Sequence, residues 1–259
     1  MRWALADGWT ITRRDLAHWG ARPGQFAVTL LFPVLITLMF GYLFGGGLNV
    51  PGGDYRSYLM PGMFTMTMLF GLETTFAAVA ADARRGITDR FRSLPMASSA
   101  VVSGRAAADL LASALTLAVL MACGLAVGWR PEAGPGAAPA AVGLLLWLRF
   151  SLLWLGIYLG LRATGPEAVA TVQILVWPVA FLSGVLVSPA TMPGWLGALA
   201  EWNPLSATAA AARELFGNPG WESGSVAAEY GPALAVAWPA LLTAVFFPLS
   251  VRAFRRLNR

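Results

Sequence analysis

Apolar positions along this chain fall in long blocks rather than in short periods. Six blocks stand out, at about 26–44, 58–81, 106–128, 140–161, 168–187 and 231–251. Each is near the ~20 residues that a helix needs to cross a hydrocarbon core. Ahead of the first block, Leu5, Trp9, Thr12, Leu16 and Trp19 share one helical face, while Asp7, Arg14 and Asp15 occupy the other side. Residues 1–25 therefore read as an amphipathic helix lying in the headgroup layer; a tail packed on the protein's own cytoplasmic surface fits the same pattern. Glycine and proline at 45–47, 51–53 and 131–139 mark nearly uncharged outer turns. Between the fifth and sixth blocks, SPATMPGWLGALAEWNP (188–204) is apolar, bounded by prolines and too short to span. It predicts a helix that enters the outer leaflet and returns, or lies on it, within an extracellular or re-entrant region at 188–230. Pro178, Pro239 and Pro248 fall inside blocks and predict kinks. The pattern is that of an all-α polytopic membrane protein, one transmembrane domain over 1–259 with six transmembrane helices.

Composition agrees. Hydrophobic residues make up 57% of the chain and charged residues 12%, with a mean hydropathy of +0.63. The charged share is about half that of a soluble domain. A net charge of +5 raises the question of nucleic acid, but arginines facing anionic lipid on the cytoplasmic side account for it. All 18 basic residues are arginine. Without lysine this chain holds no Walker A phosphate loop, no Schiff-base lysine and no lysine general base. One histidine (His18) and one cysteine (Cys123) give no metal cluster and no internal disulfide. Arg2, Arg13, Arg14 and Arg22 in the first 26 residues, with no apolar run among them, predict no cleavable signal peptide. With the N-terminus inside, fourteen arginines fall on the cytoplasmic side and three (Arg56, Arg130 and Arg213) outside, which predicts that both termini are cytoplasmic.

The most charged run, residues 82–105 (DARRGITDRFRSLPMASSAVVSGR), lies between the second and third blocks and carries Arg84, Arg85, Arg90, Arg92 and Arg105. Such a loop faces the cytoplasm. Within it DRFRSL (89–94) predicts a short helix that Pro95 ends, with Gly86 breaking the chain before it.

Three landmarks together resemble the membrane subunits of ABC type-2 exporters, closest to the daunorubicin/doxorubicin-resistance-type permeases of actinobacteria. They are the loop ADARRGITDRFRSLPMASSAVVSGRAAADLL, the late stretch LSGVLVSPATMPGWLGALAEWNPLSATAAAAREL, and the six-span layout with an amphipathic start. The resemblance covers essentially the whole chain. It implies a multi-pass protein of the bacterial plasma membrane that forms a dimer, expected to be of identical copies, and works with two copies of a separate ABC ATPase subunit. ATP and Mg would be bound by those partner subunits, with no cofactor in this chain. It further implies that the central loop is a cytoplasmic coupling helix seated on the ATPase. The matching positions are Gly86, Ile87, Asp89, Arg90, Phe91, Arg92, Ser93, Leu94 and Pro95. Phe91 and Leu94 would anchor it, and Asp89, Arg90 and Arg92 would form its charged rim. The implied cargo is an amphipathic small molecule such as an antibiotic, with a lipid or lipid-linked glycan as the alternative.

Two charges fall inside the apolar blocks, Glu73 and Arg149. A mid-bilayer charge costs about 2.5–3.5 kcal/mol on insertion scales, so it is usually paired or faces protein or a water-filled cavity. Block positions put the two about 9 Å apart in height, which leaves open both a Glu73–Arg149 pair and a place for either on a translocation path. Met66 and Phe70 belong to an aromatic and methionine-rich stretch that helix packing explains and that would also suit hydrophobic cargo. Gly156 and Gly160 form a small-xxx-small pair permitting close helix approach. The intramembrane Glu73 also admits a proton-coupled secondary transporter, but no inverted repeat with broken helices is visible. An intramembrane hydrolase would need its histidine within the membrane, and His18 lies in the cytoplasmic start.

Overall fold

The computed structural model describes residues 23–43, 54–85, 98–134, 136–220 and 225–256. The described residues form helices and connecting turns, with no strand among them. In chain order the helices among the described residues are α1 (Pro23–Leu43), α2 (Tyr55–Arg84), α3 (Ser98–Ala126), α4 (Ala137–Arg162), α5 (Pro166–Phe181), α6 (Gly194–Glu201), α7 (Pro204–Phe216), α8 (Val226–Glu229) and α9 (Gly231–Arg256), with a 3-10 turn at Pro189–Thr191. The amphipathic segment at 1–25, apart from its last three residues, and the predicted coupling residues Gly86 to Pro95 lie outside the described residues.

Among the described residues, four helical stretches are long and apolar enough to cross a membrane: Tyr55–Arg84, Ser103–Ala126, Ala137–Arg162 and Gly231–Phe254. The first and fifth expected spans are represented by shorter apolar stretches, Leu30–Leu43 and Glu167–Phe181. The fifth block, expected to run to 187, is helical only to Phe181. Its last residues turn out of the helix and lead into the 3-10 turn, α6 and α7.

Helix α2 is the hub. Its residues from Tyr58 to Leu69 are all buried, and its most extensive partner is α4. The glycine pair on α4 makes that approach close. A Cβ on Gly156 would stand 3.0 Å from the Leu72 carbonyl oxygen, and one on Gly160 would stand 2.7 Å from Val79 Cβ. Any larger residue at 160 would push the helices apart. The apolar side chains that remain exposed lie on the surrounding helices, such as Leu35 on α1, Leu115 on α3, Ile174 on α5 and Leu241 on α9. An apolar exterior around a packed centre suits lipid as the solvent.

The two ends of the bundle differ. At one, a small core of Val79, Ala106, Leu161 and Phe254 joins the end of α2, the start of α3 and the ends of α4 and α9. Exposed arginines Arg84, Arg85, Arg162, Arg252 and Arg256 stand close to these residues in sequence. Arg105 pairs there with Asp82 across the mouth of the 86–97 segment. At the other end, Phe64, Trp129 and Phe216 pack edge to face, with ring centroids 5.1–6.0 Å apart. The Trp129 indole donates to Asn218 Oδ1 at 2.8 Å. Gly217 ends α7 at φ 70, where a Cβ would lie 2.6 Å from the Ala133 nitrogen, so two reasons select glycine.

Candidate functional site

Arg149 sits midway along α4, one of the helices long and apolar enough to cross a membrane, and is 1% exposed. Its Nε donates to Ser113 Oγ on α3 at 2.7 Å, and its Nη2 donates to Thr75 Oγ1 on α2 at 2.6 Å. Thr75 passes the interaction on, donating to Asp109 Oδ2 at 2.9 Å, while Ser113 donates to the Asp109 carbonyl at 2.8 Å. A guanidinium and a carboxylate are thus linked through the Thr75 hydroxyl, while the Ser113 hydroxyl ties the same guanidinium to α3, so that three helices meet at it. Room for the side chain comes from Gly71, where a Cβ would stand 2.5 Å from Arg149 Nε. Nη1 is buried and has no hydrogen-bond partner among the described residues.

A second buried arginine, Arg213 on α7, is 4% exposed and serves the break after α5. Its Nη1 and Nη2 donate to the Gly184 and Val185 carbonyls at 3.0 and 2.8 Å, and its Nε donates to the Tyr58 carbonyl at 2.9 Å. The guanidinium carbon lies 3.7 Å from the centre of the Tyr58 ring. Tyr58 in turn donates its hydroxyl to the Gly184 carbonyl at 2.9 Å. Asn203 closes the break from the other side. Its Oδ1 accepts from the Leu205 nitrogen to cap α7, and its Nδ2 donates to the Val179 and Leu182 carbonyls at 2.9 and 2.7 Å. Gly62 admits the assembly, since a Cβ there would stand 2.5 Å from the Val185 oxygen. Burial lowers the Arg213 pKa, and the nearby Tyr58 and Tyr55 oppose that shift. Buried carbonyls outside regular helix require such partners.

Glu73 does not meet Arg149. Gly71 and Thr75, four residues apart, share the face of α2 that receives the arginine, and Glu73 projects about 180° away from them. It shares a stripe with Met66 and Phe70, at spacings of four and three. Met66 is fully buried. The ring of Phe70 lies 5.0 Å from that of Trp177 on α5 and 5.8 Å from that of Phe32 on α1. Glu73 is half-buried, and its Oε1 has no hydrogen-bond partner among the described residues.

Of the four side chains proposed from sequence for a path, three therefore lie on one stripe and Arg149 lies behind it. Asp109, Thr75 and Ser113 went unnoticed in the sequence, as did Arg213 in its buried role. Asp109 stands a few residues after the charged loop and resembles a helix-end acid there. Arg213 follows an alanine-rich run and reads as one of the outer arginines.

Comparison with known proteins bears on the whole arrangement. Residues 7–216 match the family described as ABC-2 type transporter. The daunorubicin resistance ABC transporter permease protein DrrB1 of Streptomyces coeruleorubidus is 34% identical over 239 residues, covering 91% of this chain and 81% of that protein. The putative transport permease ycf38 of Pyropia yezoensis is 24% identical over 219 residues, covering 82% of this chain and 74% of that protein.

Proposed function

The chain belongs to the ABC-2 type transporter family, and from that premise we propose that it is the permease subunit of an ATP-driven efflux complex. Its cargo is an amphipathic small molecule of the antibiotic kind. The observation that carries the reading is the similarity, over nine-tenths of the chain, to a permease named for daunorubicin resistance. In this reading α1 and α5 complete six crossings, two copies of the chain form the membrane part, and the arginine-bearing end of the bundle faces the cytoplasm.

ATP is hydrolysed by two separate ATPase subunits, and residues 86–95 transmit their movement. What supports this is the arrangement on either side of that segment. The helices that enter and leave it, α2 and α3, are tied by Asp82 and Arg105 at its mouth. Both helices then connect through Thr75, Asp109 and Ser113 to Arg149 on α4. A push on the loop thus reaches three helices at once. The push shifts the balance between inward and outward states only as far as ATP binds one of them more tightly.

The test is co-expression with a separately encoded ABC ATPase in a drug-sensitive bacterial host. The expected result is drug-specific resistance, with the ATPase co-purifying and its turnover raised by the permease. Phe91→Asp and Leu94→Asp are expected to abolish co-purification while the permease still reaches the membrane. Retained co-purification and resistance in both variants would overturn the docking role. An altered envelope lipid profile without resistance would replace drug cargo by lipid or lipid-linked glycan.

A further inference from the structure

We propose that Glu73 is the receiving site for the charged head of a lipophilic organic cation, whose apolar body rests on aromatic side chains of α1, α2 and α5. The inference deepens the transport reading by naming the class of cargo, and it rests on that reading.

Three acidic residues occupy the four long apolar helices: Glu73, Asp82 and Asp109. Asp82 faces Arg105, and Asp109 accepts from Thr75 within the network of Arg149. Glu73 is different. Its Oε1 is buried without a hydrogen-bond partner among the described residues, although an arginine is available on the opposite face of the same helix. A carboxylate kept away from the nearest buried cation is left for a cation that comes from elsewhere.

The surroundings select the kind of cation. Among the described residues no group of three or more histidine, cysteine, aspartate or glutamate side chains stands together to hold a metal ion. One turn along the stripe from Glu73, Phe70 packs against Trp177 and Phe32. Aromatic faces attract cations most strongly where water is scarce, and they bury apolar rings at the same time. The stripe borders helices whose outer apolar side chains, Leu35 on α1 and Ile174 on α5 among them, are exposed. Cargo therefore approaches from an apolar phase. A carboxylate beside aromatic rings, reached through hydrocarbon, fits an amine or onium group on an apolar body. Arg149 takes no part, being walled off behind Gly71.

The test uses the permease–ATPase complex in lipid nanodiscs. Tetraphenylphosphonium serves as a cation that cannot lose its charge, and triphenylphosphine as an uncharged comparator with a similar aromatic body. Wild type is expected to bind the cation more tightly than the comparator. Glu73→Gln is expected to weaken cation binding about ten- to a hundredfold, the loss of one charge-assisted contact, and to leave the comparator unchanged. Glu73→Asp keeps the preference for the cation. Trp177→Leu lowers cation binding several-fold, in line with one lost ring contact. Equal binding of the cation by wild type and Glu73→Gln would overturn the site. So would equal loss of both probes, or no binding of the cation by wild type. Stimulation of the ATPase by the permease in the same discs reports separately on transport. Stimulation without cation preference overturns this inference alone, whereas cation binding without stimulation keeps the site and overturns the coupling.

Discussion

The two buried arginines have almost the same exposure and opposite uses. Arg213 donates from Nε and both terminal nitrogens to main-chain carbonyls, two of them in the break after α5. Arg149 donates only to side-chain hydroxyls, keeps Nη1 without a partner among the described residues, and reaches a carboxylate through Thr75. An arginine bound to carbonyls holds a backbone path that regular helix cannot hold for itself. An arginine bound to hydroxyls on neighbouring helices fixes how those helices stand beside one another, and hydroxyls can turn when the helices move. The first is a structural peg. The second is, in the proposed mechanism, a joint.

The comparison breaks most visibly at Arg213. Arg213→Met would leave the Tyr58, Gly184 and Val185 carbonyls without its donors. Each buried group so abandoned costs about 1–3 kcal/mol. The expected result is the largest effect in the molecule, several kcal/mol, seen as loss of folded protein in detergent and a steep fall in Tm. Arg213→Lys is expected to recover only part of it, since a point-like ammonium cannot reproduce the planar fork or its stacking on Tyr58. No single second substitution should rescue Arg213→Met, because its partners are main-chain atoms.

Arg149 should behave differently in that one respect. Arg149→Met takes the guanidinium from the Thr75 and Ser113 hydroxyls and leaves the half-buried Asp109 carboxylate without the cation it reaches through Thr75; each charge-assisted hydrogen bond so lost costs about 1.5–3 kcal/mol. Adding Asp109→Asn removes the remaining charge and is expected to restore much of the lost Tm. A double variant no more stable than Arg149→Met would show that the two charges are not coupled through Thr75. A smaller effect follows at Gly71, where Ala would press on the guanidinium and cost about 1–3 kcal/mol by overpacking.

These two sites also show how far the sequence could be read. Long apolar blocks foretold α2, α4 and α9 closely. The expected 58–81, 140–161 and 231–251 fall inside Tyr55–Arg84, Ala137–Arg162 and Gly231–Arg256. Chemistry confined to one helix was also readable, as the glycine pair on α4 shows. The early end of α5 was not. Pro178 was a local warning, but the groups that satisfy the released carbonyls, Asn203, Arg213 and Tyr58, come from elsewhere in the chain. The same holds for Arg149. Glu73 was visible as a charge in an apolar block, yet whether it faces Arg149 depends on the rotation of α2, and a two-residue offset turns a partner into a stranger. Which of two charges in apolar blocks finds a partner within the chain is a property of helix register, and register comes from packing.

The smallest expected change in stability, and a sharp one for function, concerns Asp82 and Arg105. Their side chains are 23% and 19% exposed, so this pair lies nearer the surface than either buried arginine and contributes only about 0–1 kcal/mol to the fold. If the joint at Arg149 receives movement from residues 86–95, however, the helices flanking that segment must move together, and this pair ties them at its mouth. Asp82→Asn is then expected to leave Tm within a few degrees and co-purification of the ATPase intact, while less cargo is exported per ATP hydrolysed. The exchange Asp82→Arg with Arg105→Asp rebuilds the attraction with its sign reversed. It should bring the export ratio back toward wild type, which neither single charge reversal should do. A ratio unchanged in Asp82→Asn, or left unrestored by the exchange, would mean that the loop drives each helix separately and that the joint at Arg149 alone keeps them in step.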